Sequence, residues 1–217
     1  MKSPTRLKSL LKFLFLAMAA LNSMAQQAVE IAAPQYHVGD KWSYQTTDNL
    51  TRVDPVRSSL EFVRKEGDTL TFKRTNLGNN ETNMVTYTAG LQTCRRMDDF
   101  SPIVCENTLS FPLHVADKRS YSDFPGSNKQ GSFSASCVNV GMERVTVMAG
   151  QFEAMKIECG GFWWSKPAFT GPFKEVVWYA PSVRRVVRRE YQERDNRNTA
   201  HANFTTELVG FSPAKAD

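Results

Sequence analysis

The chain has 217 residues, 41% of them hydrophobic, and its 27 lysine and arginine residues against 22 acidic residues give a net charge of +5. The first 25 residues hold four of the basic residues and none of the acidic ones, so the remainder carries 23 (27 minus 4) against 22. This near-neutral balance argues against a nucleic-acid partner. The remaining 192 residues (217 minus 25) are enough for one domain with a full hydrophobic core.

Residues 1–25 have the pattern of a cleaved secretory signal. Basic residues precede the apolar run 13–21, and the small residues Ser23 and Ala25 follow where a signal peptidase cleaves. The apolar run is too short to span a bilayer, and no cysteine follows it to carry a lipid anchor. We therefore expect residues 26–217 to form a single β-rich domain in the periplasm or the extracellular space, and not an integral membrane protein.

Alternating hydrophobic residues predict a series of β-strands in the mature chain. In residues 41–47, for example, Trp42 and Tyr44 share one face of a half-buried strand. Further strands are predicted at 58–65, 69–75, 83–88, 91–97, 132–140, 143–147, 152–159 and 201–209. Residues 101–131 break the rhythm, and we expect a long surface loop at 122–131. Short, regularly spaced strands without an amphipathic helix indicate an all-β fold.

Four cysteines lie in the mature chain, and an even number in an exported protein predicts disulfides. Three pairings are possible. We favour Cys94 with Cys105, which staples a hairpin, and Cys137 with Cys159, which ties neighbouring strands. A metal site is a poor alternative, because the sequence has no Cys-x-x-Cys pair and no histidine close to a cysteine.

Residues 160–173, with the sequence GGFWWSKPAFTGPF, concentrate five aromatic residues among glycines and prolines. If this aromatic loop is exposed, it marks a binding site or a lipid contact; if it folds inward, it caps the sheet as core. The core interpretation is slightly favoured, because Trp163 and Trp164 point in opposite directions if the preceding strand continues through them.

Residues 175–191 read as two strands joined at Ala180-Pro181-Ser182, and this arm is rich in arginine. Strand alternation splits the arginines between two faces: Arg184 and Arg188 on one, Arg185 and Arg189 on the other. Neither face is a continuous basic stripe. The simpler interpretation is that arginines at a strand edge discourage aggregation, and the functional alternative is recognition of an acidic group.

No motif indicates a catalytic centre. His37, His114 and His201 lack metal-ligand spacing, and neither Gly-x-Ser-x-Gly nor Ser-x-x-Lys with its supporting motifs is present. Asp98 and Asp99 would face opposite sides of a strand, and we interpret them as turn residues. The sequence therefore predicts a protein that is not an enzyme and that uses no metal and no cofactor.

Four motifs together resemble a family of uncharacterised bacterial exported proteins that carry a domain of unknown function. They are Val38-Gly39-Asp40-Lys41-Trp42-Ser43-Tyr44, Val145-Thr146-Val147-Met148-Ala149-Gly150-Gln151-Phe152-Glu153-Ala154, Trp178-Tyr179-Ala180-Pro181-Ser182-Val183 and Glu207-Leu208-Val209. The family patterns are V-G-D-x-W-x-Y, V-x-V-P-A-G-x-F and W-Y-x-P-x-V, and this chain departs from them at Met148 and after the turn at Arg184-Arg185. The resemblance implies a single strongly curved antiparallel sheet, an open or half barrel similar to the periplasmic lipoprotein-carrier fold. A β-sandwich is the alternative.

We therefore expect a binding protein whose curved sheet holds a lipid-like or other apolar small molecule in a groove. The candidate ligand-binding residues are Trp42, Tyr44, Phe162, Trp163, Trp164, Phe169, Trp178, Arg188 and Arg189. The arginines would serve an acidic group at the rim. The alternative function is an interaction or structural subunit of a cell-envelope complex, with the arm as the edge that docks an envelope protein.

Overall fold

The computed structural model describes residues 30–127, 129–165 and 169–214, so the predicted signal segment lies outside the described residues. Within those ranges the chain forms β-strands and one 3₁₀ turn, Pro181–Val183, but no α-helix. The strands are β1 (Glu30–Ile31), β2 (Lys41–Asp48), β3 (Val56–Glu66), β4 (Thr69–Asn76), β5 (Thr82–Thr88), β6 (Cys94–Arg95), β7 (Val104–Cys105), β8 (Leu113–His114), β9 (Lys118–Pro125), β10 (Gly131–Val147), β11 (Gly150–Ser165), β12 (Phe169–Ala180), β13 (Arg185–Arg194) and β14 (Ala200–Ser212).

Ten strands form one antiparallel sheet in the order β5-β4-β3-β2-β14-β13-β12-β11-β10-β9. Most neighbours are consecutive in sequence, and the exception is β14, which pairs with β2 and thereby joins the two halves. The all-β fold with one large antiparallel sheet is confirmed, and β1–β8 and β6–β7 form two separate two-stranded pairs. The sheet is open, with β5 and β9 as its edges, and it is neither a β-sandwich nor as curled as the half barrel that the resemblance implied.

A long connection crosses the inner face of this sheet. Residues 89–117, which we call the strap, leave one edge strand, β5, and return to the chain at the opposite edge, β9. Arg119 of β9 holds the strap, because its guanidinium donates to the backbone carbonyls of Asn107, at 2.6 Å, and Thr108. The strap also buries Leu109 and Leu113 in the core. One face of the sheet is therefore covered by the chain itself.

Two predicted segments around the strap differ from the structure. The strand predicted at 91–97 is reduced to β6, because the strap follows the inner face rather than extending the sheet. The surface loop predicted at 122–131 is wrong in its first part, because β9 continues to Pro125 and buries Tyr121 and Phe124. Proline is tolerated there because β9 is an edge strand.

Two further segments are longer strands than the alternation predicts. The strands predicted at 132–140 and 143–147 are one strand, β10, with a register shift between Asn139 and Gly141. The aromatic loop predicted at 160–173 is the paired end of β11 and β12, where Phe162 lies opposite Pro172 and Trp164 opposite Thr170. Gly160, Gly161, Gly171 and Pro172 therefore lie in paired strands rather than in a loop, and residues 166–168 of the predicted loop lie outside the described residues.

The four cysteines form two disulfides, Cys94–Cys105 and Cys137–Cys159, which is the pairing favoured from the sequence. Each disulfide joins residues that lie directly opposite each other in an antiparallel pair, β6 with β7 and β10 with β11. The first closes the hairpin of the strap. The second is buried within the sheet and ties two neighbouring strands together.

Residues 36–44 supply four side chains that hold the turn between β12 and β13, and we call Tyr36, Asp40, Trp42 and Tyr44 the turn clamp. Three of them donate side-chain hydrogen bonds to backbone carbonyls at or just after the turn. Tyr36 donates to Arg184 at 2.8 Å, Trp42 to Val183 at 2.8 Å and Tyr44 to Val186 at 3.1 Å. Carbonyl groups at an irregular turn have no strand partner, so these side chains supply the hydrogen bonds that burial requires.

Asp40 completes the turn clamp with a buried carboxylate. It pairs with the Arg184 guanidinium at 3.0 Å and accepts hydrogen bonds from the backbone N–H groups of His37, at 2.8 Å, and Ala214, at 3.0 Å. A buried charge is tolerated only when it is paired and hydrogen-bonded in this way. The V-G-D-x-W-x-Y and W-Y-x-P-x-V motifs of the sequence are therefore the two sides of one contact.

Asp40→Asn is expected to lower the free energy of unfolding by roughly 3 kcal/mol, because it leaves the Arg184 charge without its partner. Glu153→Gln is the control, since it removes an exposed ion pair with Arg144 and should cost less than about 1 kcal/mol. Urea denaturation followed by tryptophan fluorescence measures both. Similar small losses in the two variants would contradict a stabilising role for the turn clamp.

Gly161→Ala is expected to destabilise the protein by about 2 kcal/mol through overpacking, whereas Gly160→Ala is not. A Cβ atom at Gly161 would lie 2.0 Å from the Ser134 carbonyl oxygen and 2.9 Å from the Ala135 Cβ, but nothing lies within 4 Å at Gly160. The two glycines are neighbours on β11, so the pair isolates the steric effect. Equal urea midpoints for the two variants would show that β10 and β11 do not pack this closely.

Candidate functional site

The inner face of the sheet and the strap enclose a cleft of about 640 Å³. This volume lies in the range of small-molecule sites. Strand alternation brings every second side chain of the central strands to the inner face, and the strap contributes residues such as Leu91 and Leu109 from the opposite side. The aromatic residues of the lining include Tyr44, Tyr87, Phe133, Phe173, Tyr191 and Phe204.

A row of aromatic rings crosses the cleft, and we call it the aromatic row. The ring centroids of Phe133 and Phe173 are 5.7 Å apart, those of Phe173 and Tyr191 are 5.8 Å apart, and those of Tyr191 and Phe204 are 4.9 Å apart. The last two pairs are stacked, with interplanar angles of 27° and 19°. Aromatic rings in this arrangement present a continuous apolar surface.

Beside the aromatic row, Arg189 is paired with carboxylates. It forms an ion pair with Glu175, whose side chain is buried, and its guanidinium carbon lies 5.4 Å from the Phe204 ring centroid. Glu106 of the strap is close enough to interact with both groups. Burial raises the pKa of Glu106, and the negative charge of Glu175 raises it further. Arg95 of the strap is also close enough to act on Glu106, so two carboxylates and two arginines lie together in this part of the cleft.

Arg185 is a second arginine of the cleft, and aromatic rings surround it. Its guanidinium carbon lies 5.0 Å from the Phe72 ring centroid, 5.1 Å from that of Tyr87 and 5.9 Å from that of Trp42. These distances are within the range of cation–π interactions. The three rings belong to β2, β4 and β5, whereas Arg189 and Glu175 belong to β13 and β12, on the other side of β14.

The structure brings only some of the predicted ligand-binding residues together. Tyr44 and Arg189 line the cleft, while Trp42 is fully buried in the turn clamp. Trp178 and Arg188 lie opposite each other on β12 and β13, on the other face of the sheet from their neighbours that line the cleft. The Arg188 guanidinium carbon lies 5.5 Å from the Trp178 ring centroid, so these two residues contact each other and not the cleft.

The remaining predicted residues lie at the end of the β11–β12 hairpin. Trp163 is buried and donates its indole N–H to the Arg194 carbonyl at 3.0 Å. By contrast, the exposed fractions of Phe162, Trp164 and Phe169 are 66%, 42% and 54%. The segment is therefore buried in part and exposed in part, because alternation sends one tryptophan inward and the other outward. Whether its exposed part is a binding site stays a prediction.

A smaller cavity of about 340 Å³ adjoins the cleft at this hairpin end. Trp163, Trp164 and Phe169 line it, and it shares Phe133 and Glu193 with the cleft. The exposed Trp164 and Phe169 thus lie beside one mouth of the cleft, and the aromatic row begins inside it with Phe133.

Two negative findings apply to residues 30–127, 129–165 and 169–214. They contain no group of three or more histidine, cysteine, aspartate or glutamate side chains arranged to hold a metal ion. They also contain no helix with the length and hydrophobicity needed to cross a membrane.

Sequence reasoning missed Arg185, Glu106 and Glu175 as cleft residues. Alternation along β12 and β13 already placed Arg185 on the face of Arg189 and could have placed Glu175 there as well. Glu106 gave no signal, because the strap has no period-2 pattern. The rings around Arg185 come from distant strands, and only the sheet order brings them to it.

Comparisons with known proteins identify similar folds. No family model and no curated protein matches the chain. A protein from Bacteroides fragilis, described as exported and as having a YmcC-like fold, is 13% identical, with a TM-score of 0.50 over 85% of this chain and 99% of that one. A protein from Parabacteroides distasonis, described as a lipoprotein, is 13% identical, with a TM-score of 0.51 over 86% and 100%. Both show a shared fold over most of the chain, and the likeness to the lipoprotein-carrier fold stays a prediction.

Glu106→Gln is expected to raise the free energy of unfolding at neutral pH but not near pH 4. The pKa of Glu106 is raised in the folded protein, whereas a glutamate in the unfolded chain has a pKa of about 4.3. As the pH rises above that value, the folded state therefore binds more protons than the unfolded state. The wild type therefore loses stability as the pH rises through this window. Glutamine is neutral throughout, and its amide oxygen can still accept the hydrogen bond that Thr108 donates at 3.0 Å.

Urea denaturation between pH 4 and pH 8 measures the difference between this variant and the wild type. Glu153→Gln, at an exposed position on β11, is the control and should show no comparable pH-dependent gain. A gain for Glu106→Gln that is the same at pH 4 and pH 8 would show that ionisation of this carboxyl is not its cause.

Proposed function

We propose that this protein is an exported, non-enzymatic binding protein that holds a lipid-like or other apolar small molecule between its sheet and its strap. The observation that carries the proposal is the cleft of about 640 Å³ with the aromatic row across it. Burial of hydrocarbon on such a surface contributes about 25 cal/mol for each Å² removed from water.

Three features support export. The chain has two disulfides, and these form and persist in oxidising compartments outside the cytoplasm. The structural neighbours are described as an exported protein and a lipoprotein, and residues 1–25 have the pattern of a secretory signal. The periplasm or the extracellular space is therefore the proposed location.

We favour binding over catalysis because the carboxylates in the cleft already contact other side chains of the protein. Glu175 is committed to an ion pair with Arg189, and Glu106 accepts a hydrogen bond from Thr108. Arginines and phenols beside an apolar surface suit recognition of a ligand with one polar end.

The alternative function, an envelope subunit that docks a partner along the arm, loses its structural basis. That proposal needed the arm to be a free edge of the sheet. Its strands, β12 and β13, are instead central, and each is hydrogen-bonded to a neighbour on both sides. Strand addition by a partner is therefore blocked at this position.

Thr206→Trp is expected to abolish binding of an apolar probe, because its side chain lines the cleft and an indole there would fill part of it. Thr205→Trp is the matched control, since the neighbouring residue on β14 points to the opposite face. Each substitution also removes one side-chain hydrogen bond, to Thr46 at 2.9 Å or to Asn49 at 3.1 Å.

Fluorescence titration with the uncharged dye N-phenyl-1-naphthylamine measures binding, and native mass spectrometry of protein purified from its host tests for a bound molecule. We expect dye binding by the wild type and by Thr205→Trp, and at least a tenfold loss, equal to about 1.4 kcal/mol, for Thr206→Trp. If the wild type binds no dye and carries no small molecule, or if both variants bind equally, the proposed function is wrong.

A further inference from the structure

Arg185 has a guanidinium group that the protein does not fully satisfy. Its Nη1 atom is buried and has no hydrogen-bond partner within the described part of the chain. None of the ion pairs among the described residues includes Arg185, although Arg184, Arg188 and Arg189 all have carboxylate partners. Arginine remains charged under all physiological conditions, so this site keeps a positive charge without a protein anion.

Two phenols of the turn clamp approach Arg185 but leave its charge in place. Tyr36 and Tyr44 donate their hydroxyl protons to backbone carbonyls, so their oxygens are free to accept hydrogen bonds from the Arg185 side chain. Burial raises the pKa of Tyr36 to about 12 and also raises that of Tyr44. Both phenols are neutral at physiological pH and orient the guanidinium without neutralising it.

Aromatic rings also surround Arg185. The rings of Trp42, Phe72 and Tyr87 pack around the guanidinium, and cation–π contacts replace only part of its lost hydration. An anion that enters the cleft would be held by charge-assisted hydrogen bonds in a water-poor site, where such bonds are strongest. The planar fork of arginine matches a carboxylate or a phosphate group.

Resting on the proposed function, we infer that the ligand is an aliphatic anion. Its carboxylate or phosphate headgroup binds Arg185, and its hydrocarbon chain lies along the aromatic row. Both parts belong to one cleft, since Arg185, Tyr44, Tyr191 and Phe204 all line it. The inference assigns the anion site to Arg185 instead of Arg188 and Arg189, whose charges are already paired.

Displacement of N-phenyl-1-naphthylamine by decanoate, decyl phosphate and 1-decanol tests this inference. The three competitors share one chain length and differ in headgroup, and the dye itself is uncharged. We expect the two anions to displace the dye on the order of 10- to 100-fold more effectively than the alcohol from the wild type. Acetate and inorganic phosphate, which lack the chain, should displace the dye only weakly. If they displace it as effectively as decanoate and decyl phosphate do, the site binds free anions and the inferred role of the hydrocarbon chain is wrong.

In Arg185→Gln the two anions should fall to the potency of the alcohol, while the alcohol itself keeps its wild-type potency. Arg185→Lys keeps the charge but loses the fork, and it should retain an intermediate preference. Arg188→Gln, on the opposite face of the sheet, should behave as the wild type. Circular dichroism tests whether each variant is folded. If Arg185→Gln does not fold, the inference is tested by comparing the preference for anions over the alcohol in the wild type and in Arg185→Lys.

The outcomes separate this inference from the proposed function. If decanoate, decyl phosphate and 1-decanol displace the dye equally from the wild type, or if Arg185→Gln keeps the preference for anions, the anion site is wrong and the apolar cleft stands. If the folded wild type binds neither the dye nor any of the three competitors, the proposed function fails and the anion site fails with it.

Discussion

The turn clamp is the contact on which the rest of the structure depends. Residues of β2 and of the segment just before it reach across to the turn between β12 and β13, more than 130 residues later, and satisfy its backbone carbonyls. The clamp includes the buried Asp40–Arg184 pair, which would be costly if either partner were missing. Because the clamp fixes the start of β13, it also fixes where Arg185 enters the cleft. One set of hydrogen bonds thus serves both the fold and the candidate site.

The strap is the second constraint, because an open sheet alone would expose the aromatic row. By running from one edge strand to the other, the strap covers the inner face and turns a flat apolar surface into a cleft. Arg119 holds the strap to β9, and the Cys94–Cys105 disulfide closes its hairpin. A disulfide in a segment with few strand hydrogen bonds contributes stability where regular pairing cannot, on the order of 2 to 4 kcal/mol.

The two arginines of the cleft illustrate how the same residue type takes different roles. Arg189 is compensated by Glu175, with Glu106 nearby, and this group of charges is internally balanced. Arg185 has phenols and aromatic rings around it but no carboxylate among its described ion-pair partners, so its charge remains available to a ligand. A sequence shows both as basic residues on one strand face, and only their neighbours distinguish them.

The sequence by itself determined the all-β class, the positions of most strands and the favoured disulfide pairing, because alternation and cysteine spacing are local properties of the chain. It also indicated that the arm's arginines divide between two faces. Only the tertiary structure decided that the arm is central, that the aromatic segment is a hairpin end, and that the strap covers the sheet. The order of strands depends on contacts between residues far apart in sequence, and β14 pairs with β2 across more than 150 residues. For the same reason the sequence named Tyr44 and Arg189 for the cleft together with Trp178 and Arg188. Alternation separates the two faces of a strand, but only the tertiary structure shows which face the strap covers.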